Sequence, residues 1–195
     1  MRFVILTAAL AAGLCAAPGP ASAQFSNFYF FGDSLSDAGS FIPVLPPGTG
    51  KFTTNPGPIW AEVLAQRYGS TATPANQGGN DFAEGGARVS MLPGVPATPP
   101  TGTATPVTVQ VQNFLGRGAV DPRALYSVWA GGNDLFFQLG LAQAGLITPA
   151  DVQTNLVTAA TQVVQQVGVL HAAGARYIMV FNLPDVGQTP FGRGS

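Results

Sequence analysis

The distribution of apolar residues along the chain predicts three buried β-strands. The first strand candidate, residues 27–33, is rich in aromatic residues, a second and largely apolar run covers residues 124–129, and a third begins after Arg176 and ends at Asn182. Each run closes on small or polar residues. Runs of this length without polar alternation, bounded by turn-forming residues, are typical of strands that are covered on both faces of a sheet. The pattern therefore predicts a buried sheet.

Apolar residues at helical spacing predict helices between these strands. A short helix is expected between Pro58 and Gly69, with one apolar face formed by Trp60, Val63, Leu64 and Tyr68. A second helix is expected to pack Val107, Val111, Phe114 and Leu115. A third, over about residues 149–173, carries Val152, Leu156, Val163, Val167 and Leu170 on one side. Segments 41–58 and 93–106 are rich in proline and are predicted as loops, the latter on the surface.

The order of these elements predicts an α/β domain. Strands that alternate with helices, with no hairpin turn between them, favour parallel βαβ units with helices on both faces of the sheet. We therefore expect a flavodoxin-like, three-layer α/β/α fold around a central parallel sheet, in one domain over residues 24–195. Ligands bind at the carboxyl ends of the strands in such sheets. Turns that follow the three strands are expected to form one crevice there, at residues 32–34, 131–133 and 182–185.

Residues 1–23 have the features of a signal peptide. Arg2 provides a positive charge, residues 3–17 are apolar, and small residues end the segment before Gln24. The apolar run is shorter than the roughly 20 residues that span a bilayer. We therefore expect the mature chain to be secreted, periplasmic or at the cell surface, a buried N-terminal helix being the alternative. Cys15, the only cysteine, lies in this segment, so no disulfide is expected in the mature chain.

Charge excludes one class of partner. The whole chain has eight basic and nine acidic side chains, and charged residues make up 9% of it. A protein that binds nucleic acid carries a basic surface that neutralises phosphates. This chain has no basic excess, so nucleic acid is not an expected partner. Hydrophobic residues make up 46% of the chain, which is enough for a core and argues against disorder.

The turn after the first strand carries candidate chemistry in the sequence FGDSLSDAG, residues 31–39. One interpretation is an ordinary strand-to-helix turn, in which Gly32 provides backbone freedom and Asp33 or Ser34 caps the helix. The other is that Ser34 Oγ is presented beside backbone N–H groups at a helix N-terminus. There the hydroxyl can attack a carbonyl and the N–H groups can hold the resulting oxyanion. This stretch alone leaves both interpretations open.

Four short segments together resemble a known enzyme family. FGDSLSDAG resembles the nucleophile block of the GDSL, or SGNH, hydrolases, and DFAEGGARV (81–89) resembles their second block. WAGGNDL (129–135) is similar to the third block, and NLPDVGQTP (182–190) to a further segment of the longer members. The resemblance implies the SGNH hydrolase fold. It also implies a serine ester hydrolase that uses no metal and no organic cofactor.

The resemblance further implies the roles of individual residues. Ser34 would be the nucleophile, and its backbone N–H one donor to the oxyanion. Gly86 would provide a second backbone N–H, and Asn133 a side-chain amide as the third donor. A short, neutral amide suits this role because it donates hydrogen bonds without transferring a proton. The substrates would be carboxylic esters of small molecules or lipids, and a lipid ester would bring the protein to a lipid surface.

Other polar residues near these segments are expected to support the site. Asp33 and Asp37 are predicted to hold the Ser34 turn through local hydrogen bonds. Asp134 is a candidate cap for the helix that follows it. Position 81 is Asp where the family more often has Asn, so the resemblance does not define the hydrogen bonds of the second block.

No general base is identified in the sequence. SGNH enzymes carry an Asp-x-x-His segment near the C-terminus, and this chain has none. Its one histidine, His171, lies at the end of the long predicted helix, where it suits the helix dipole and is a poor candidate for the base.

Two explanations of the missing base are left open. The 195 residues are the N-terminal part of a longer esterase, or the protein is an inactive relative that serves as a binding or surface module. We favour the first because the nucleophile and the oxyanion residues are intact. A phosphate-binding module on Gly-rich turns is a further alternative, but neither G-x-x-x-x-G-K-[ST] nor G-x-G-x-x-G follows a predicted strand.

Overall fold

Three strands and four helices make up the regular structure in the part of the chain that the structure describes. The computed structural model describes residues 25–189 and residue 193, so the predicted signal peptide at residues 1–23 lies outside the described residues. In chain order the elements are β1 (Phe28–Gly32), α1 (Trp60–Arg67), α2 (Val107–Leu115), β2 (Leu125–Trp129), α3 (Gly132–Gln143), α4 (Pro149–Ala172) and β3 (Tyr177–Val180). Short 3-10 helices lie at Ile42–Val44, Ala75–Gln77, Thr101–Thr103 and Val186–Gln188.

The sheet is parallel, with the strand order β1-β2-β3. Phe28 pairs with Leu125 at one end of the β1–β2 register and Gly32 pairs with Trp129 at the other. Residues 80–84 run beside the outer edge of β1, since Phe82 N–H donates to the Phe30 carbonyl at 2.8 Å. The second block of the sequence therefore extends in the same direction as β1, and both end at the carboxyl edge of the sheet.

Alternating side chains of β1 bury both faces of the sheet. Phe28 and Phe30 pack on the side of α1, against Ala61 and Ala65. Phe31 points to the opposite side, into a core that contains residues of α2 and α4. Each of these phenylalanines is at most 1% exposed, and burial of such a ring contributes about 2 to 3 kcal/mol. The predicted three-layer α/β/α architecture with a central parallel sheet is confirmed.

Helix α1 buries only part of its predicted apolar face, together with small residues that were not predicted. Val63 and Tyr68 are 42% and 37% exposed, whereas Ala61 and Ala65 are fully buried. The strand contributes large aromatic side chains, and the small residues of the helix allow it to approach them closely. The predicted apolar face is confirmed at Trp60 and Leu64, which pack against this core, and wrong at Val63.

Two further differences concern segments around the site. No periodic apolar pattern predicts α3, because its buried residues are the polar Asn133, Asp134 and Gln138. The 93–106 segment is a loop as predicted, but it is not confined to the surface, since Thr101 and Ala104 are buried. Within residues 25–189, no helix has both the length and the apolar character needed to span a membrane.

Candidate active site

The turns that follow the three strands lie next to one another at the carboxyl edge of the sheet. Gly32 pairs with Trp129 at this edge, and Ser34 and Asn133 follow these two strand ends. A Cβ atom placed on Gly132 would lie 3.8 Å from Asp33 Oδ2 and 3.9 Å from Leu183 Cδ2. The three turns are therefore adjacent, although Ser34 lines one cavity and Gly131 and Asn182 line another.

The Ser34 turn is a single hydrogen-bonded turn and does not open a helix. Ser36 N–H and Asp37 N–H both donate to the Asp33 carbonyl, at 3.0 and 3.1 Å. Asp37 Oδ1 then accepts the N–H groups of Gly39 and Ser40, at 2.8 and 2.6 Å. A carboxylate that captures backbone N–H groups in this way competes with helix propagation. The expected helix N-terminus at Ser34 is therefore wrong, and the expected local support by aspartates is confirmed.

Ser34 itself is half-buried and lines a cavity of about 380 Å³. Thr53 Oγ1 donates to the Ser34 carbonyl at 3.0 Å and fixes the backbone there. Neither the Ser34 hydroxyl nor the Ser34 N–H has a hydrogen-bond partner among the described residues. Both groups are therefore free to interact with a bound molecule.

Two buried aspartates join the Ser34 turn to the second block. Asp37 Oδ2 accepts the Gly85 N–H at 2.8 Å. Asp81 accepts the N–H groups of Ala38 and Ala83, at 2.8 and 3.0 Å. Burial raises the pKa of Asp81 well above its ordinary value, and these two hydrogen bonds oppose that rise.

Asn80, the residue before Asp81, provides a side-chain amide next to the position where the family more often has asparagine. Asn80 Nδ2 donates to the Phe28 carbonyl at 2.6 Å and to the Thr71 carbonyl at 2.9 Å. An asparagine donates and accepts, whereas an ionised aspartate only accepts. The hydrogen bonds of the second block are therefore divided between Asn80 and Asp81.

Gly86 occupies a position that only glycine fits. Its φ is +86°, and a Cβ atom would lie 2.6 Å from the Val95 carbonyl oxygen and 2.8 Å from Thr101 Cβ. Gly86 lines the same cavity as Ser34. Its N–H has no acceptor among the described residues, while its carbonyl accepts the Val95 N–H at 2.9 Å.

Asn133 is fixed in the first turn of α3 and contacts the second block. It is 8% exposed, and its Nδ2 donates to the Ala87 carbonyl at 2.9 Å. An amide nitrogen carries two hydrogens, and the second has no partner within residues 25–189. Gly131 is the N-cap of α3, with a φ of +110°. The Asn133 amide therefore contacts Ala87, the residue that follows Gly86 in the sequence, and retains one hydrogen that it can donate.

Asp134 holds α3 to the second block and does not cap the helix. Its Oδ2 accepts the Val89 N–H at 2.8 Å, and its Oδ1 accepts from Arg88 Nε at 3.3 Å. The Arg88 guanidinium lies 4.0 Å from the centre of the Phe137 ring. The N-cap, Gly131, makes no side-chain cap hydrogen bond. The predicted cap role of Asp134 is therefore wrong, because this carboxylate is used in a buried ion pair.

Burial dominates the electrostatics of the carboxylates at this edge. Asp33 is 2% exposed, and burial raises its pKa from 3.8 to about 6. The hydrogen bond from Leu35 N–H lowers it, and the nearby Asp134 and Asp37 raise it further. Burial also raises the pKa of Asp134, against the lowering effects of the hydrogen bond from the Val89 N–H and of Arg88.

Gln110 supports the site and was not predicted from the sequence. This side chain is 1% exposed, accepts the Gly32 N–H at 2.9 Å and donates to the Gly32 carbonyl at 2.8 Å. It also donates to the Thr105 carbonyl at 2.8 Å. Gln110 satisfies the last backbone groups of β1, directly before the Ser34 turn. Its position on the buried face of α2, between Val107 and Val111, is the sequence signal that could have revealed it.

His171 lies at the opposite edge of the sheet from Ser34. It is an exposed residue in the last turn of α4, shortly before β3 begins at Tyr177, and Tyr177 pairs with Leu125 at the amino edge. Since strands rise about 3.3 Å per residue, a five-residue strand separates the two edges by about 13 Å. Within residues 25–189, no group of three or more His, Cys, Asp and Glu side chains is arranged to hold a metal ion.

Comparisons with known proteins agree with the four sequence segments. The chain is 30% identical, over 85% of its length, to Lipase 1 of Photorhabdus luminescens. It is 31% identical over 87% to Phosphatidylcholine-sterol acyltransferase of Aeromonas hydrophila, and 33% identical over 95% to Esterase EstA of Pseudomonas aeruginosa. The chain spans 23%, 48% and 32% of the length of these relatives, respectively. The sequence profile of GDSL-like lipases and acylhydrolases matches residues 28–194, and the chain belongs to this family.

Proposed function

We propose that the protein is a serine ester hydrolase that forms an acyl intermediate on Ser34. Ser34 Oγ attacks the acyl carbon, its proton passes to a base and then to the departing alcohol, and the acyl group stays on the serine. Water then attacks the same carbon and releases the carboxylic acid and the free serine. The carbonyl oxygen becomes negatively charged in both steps. The N–H groups of Ser34 and Gly86 and the amide of Asn133 stabilise that charge.

The observation that carries this proposal is a set of unused donors at the same edge of the sheet as an unused hydroxyl. The N–H groups of Ser34 and Gly86 and one amide hydrogen of Asn133 lack acceptors among the described residues. Buried polar groups of folded proteins are usually paired, so donors left free at Ser34 and Gly86, which line one cavity, and at Asn133 beside the second block suit a developing oxyanion. The lipase, esterase and acyltransferase names of the relatives support ester chemistry at this place.

We infer that the base lies outside the 195 residues. His171 is at the amino edge of the sheet, and the relatives are two to four times longer than the matched segment. An Asp-x-x-His segment, as in the family pattern, would provide the imidazole. The 195-residue chain alone is accordingly expected to hydrolyse esters slowly.

Covalent labelling of the complete gene product tests the nucleophile. A fluorophosphonate probe is expected to modify Ser34, and Ser34→Ala is expected to lose both the label and the hydrolysis of a p-nitrophenyl ester. Asn133→Ala is expected to lower kcat by about 10² to 10³ with a smaller change in KM, because the lost hydrogen bond is made to the transition state. The matched control is Ser70→Ala, since Ser70 lines a separate cavity that also contains Asn27 from the amino edge.

Two results would contradict the proposal. One is undiminished hydrolysis by Ser34→Ala, and the other is a fluorophosphonate adduct on a different residue. Full activity of the 195-residue chain would contradict only the inferred location of the base.

We also propose that the protein acts outside the cytoplasm. The support is the sequence pattern of residues 1–23, with small residues before Gln24. Mass spectrometry of the mature protein from its own host is expected to give an N-terminus at Gln24. An N-terminus at Met1 would contradict the proposal.

A further inference from the structure

The cavity beside Ser34 is closed on one side by the proline-rich loop. Its wall includes Gly86 together with Val95, Thr98 and Thr101. The loop is attached to the oxyanion region directly, because Val95 N–H donates to the Gly86 carbonyl at 2.9 Å. A group attached to an acyl carbon on Ser34 therefore has this wall as its neighbour.

The wall is held rigidly. Thr101 Oγ1 lies 2.9 Å from the Pro96 carbonyl and 3.0 Å from the Thr98 carbonyl, to which its one hydroxyl hydrogen can donate. Gly102 N–H also donates to the Thr98 carbonyl, at 2.8 Å. Pro96, Pro99 and Pro100 line the cavity, and each fixes its own φ angle. A preformed wall of this kind selects ligands by size.

The cavity carries no charged group of its own. Its lining consists of serine, threonine, glycine, valine, proline and phenylalanine residues. Lys51, next to the lining residue Phe52, is paired with Glu62. A charged substituent would lose its hydration in this cavity without gaining a counter-ion, which is unfavourable. Phe52 is 42% exposed and offers its ring as an apolar contact.

We propose that this cavity binds an uncharged hydrocarbon group of the ester, and that its size limits the length of that group. The inference rests on the proposed ester hydrolysis at Ser34. A volume of about 380 Å³ holds on the order of a dozen groups of about 30 Å³, the share of one water molecule in the liquid. Each methylene that is buried is expected to raise kcat/KM roughly fourfold until the cavity is full.

The source of the hydrocarbon group is either the acyl chain or the alcohol, and two substrate series separate them. The first is a set of p-nitrophenyl esters from acetate to dodecanoate. The second is a set of butanoate esters with alcohols of increasing length. Both are measured as kcat/KM with the complete gene product.

The test variant is Thr98→Trp and its matched control is Ala97→Trp. Thr98 is exposed and uses its carbonyl, not its side chain, to hold the loop. Ala97 is its exposed neighbour and does not line the cavity. Thr98→Trp is expected to lower the ratio of kcat/KM for hexanoate over acetate, or for hexyl over methyl butanoate, by at least about tenfold. Ala97→Trp is expected to leave both ratios unchanged.

A second variant covers the case in which Thr98→Trp does not fold. Phe52→Ala enlarges the cavity. In whichever substrate series depends on chain length, this variant is expected to have its highest kcat/KM at a longer hydrocarbon group than the wild type. In addition, a p-nitrophenyl ester with a terminal carboxylate on a four-carbon acyl chain is expected to react at least about tenfold more slowly than p-nitrophenyl butanoate if the acyl series responds. If kcat/KM depends on chain length in the alcohol series instead, a butanoate ester whose alcohol carries a terminal carboxylate is expected to react at least about tenfold more slowly than the uncharged ester of the same length.

The proposal is overturned if hydrolysis depends on Ser34 but neither series changes in Thr98→Trp or Phe52→Ala. Equal effects of Thr98→Trp and Ala97→Trp would also overturn it, as would equal rates for the charged and neutral esters. A protein that hydrolyses no ester and takes no label on Ser34 would instead contradict the proposed function.

Discussion

Replacement of Asp33 by asparagine is expected to change how the stability of the protein depends on pH. Asp33 is 2% exposed, and burial raises its pKa from 3.8 to about 6. Asparagine keeps the side-chain oxygen that accepts the Leu35 N–H at 3.0 Å but cannot ionise. The variant therefore removes one titration and retains the local hydrogen bond.

The sign follows from the protons bound in the two states. Below about pH 4, Asp33 is protonated in both the folded and the unfolded protein, so it contributes no pH dependence. Between about pH 4 and 6 the unfolded chain loses this proton first, and the folded protein becomes less stable as the pH rises. A pKa difference of about 2 corresponds to about 3 kcal/mol, at 1.36 kcal/mol for each unit. The stability of Asp33→Asn relative to the wild type should therefore increase by about 3 kcal/mol from pH 3.5 to pH 7.5.

Urea unfolding at several pH values, followed by tryptophan fluorescence, measures this difference. A constant effect of the buried amide cancels, because only the change with pH is compared. Asp121→Asn is the control of opposite sign, since a hydrogen bond from the Ser26 hydroxyl lowers the pKa of Asp121. Asp121→Asn should lose stability relative to the wild type as the pH rises to about 4, and the difference should stay constant above that pH. A stability difference for Asp33→Asn that stays constant within about 0.5 kcal/mol across this range would refute the reasoning.

Three substitutions test the contacts that hold the site, each by urea unfolding at pH 7. Gln110→Met leaves the Gly32 N–H and the Thr105 carbonyl without the partners that Gln110 provides, while the Gly32 carbonyl keeps the Glu84 N–H, and is expected to cost about 3 kcal/mol; a cost under about 1 kcal/mol would contradict this role. Arg88→Met leaves the buried Asp134 without its cation and is expected to cost about 3 to 5 kcal/mol. Adding Asp134→Leu to Arg88→Met should recover part of that loss, and no recovery would count against the ion pair. Gly86→Ala forces a side chain into a backbone with a φ of +86° and is expected to cost about 1 to 3 kcal/mol and to lower kcat about 100-fold; a variant with wild-type turnover would exclude Gly86 from the oxyanion role.

The sheet could be predicted from the sequence because its strands are continuous apolar runs. The run at residues 27–33 contains β1, Phe28–Gly32, and the run at 124–129 contains β2, Leu125–Trp129. Helix α4 was likewise predicted within one residue at its end, since many turns repeat the same period. These elements are stabilised by burial of their own apolar side chains, which is the property that the pattern reports.

The elements around the site could not be predicted from apolar periodicity, because they are stabilised by polar contacts between distant residues. Helix α3 buries Asn133 and Asp134 near its start, so it lacks an apolar stripe. The partners of Asp134 are 45 and 46 residues away, at Val89 and Arg88. The apolar face of α1 was misassigned at Val63 because nothing local shows that the partner strand is aromatic. Ser34, Gly86 and Asn133 were found through the family resemblance, and their roles stay predictions.

Because these polar contacts join residues that are far apart in the sequence, the site forms only late in synthesis and folding. The hydrogen bonds that hold it join residues up to 78 positions apart, so no short peptide from this chain contains it. At a synthesis rate of about 5 to 20 residues per second, roughly 5 to 20 s separate the emergence of Ser34 from that of Asp134. Throughout that interval, and for as long as the chain is unfolded, Ser34 is an ordinary hydroxyl. The reactivity proposed for Ser34 would therefore be acquired only once these distant residues have come together.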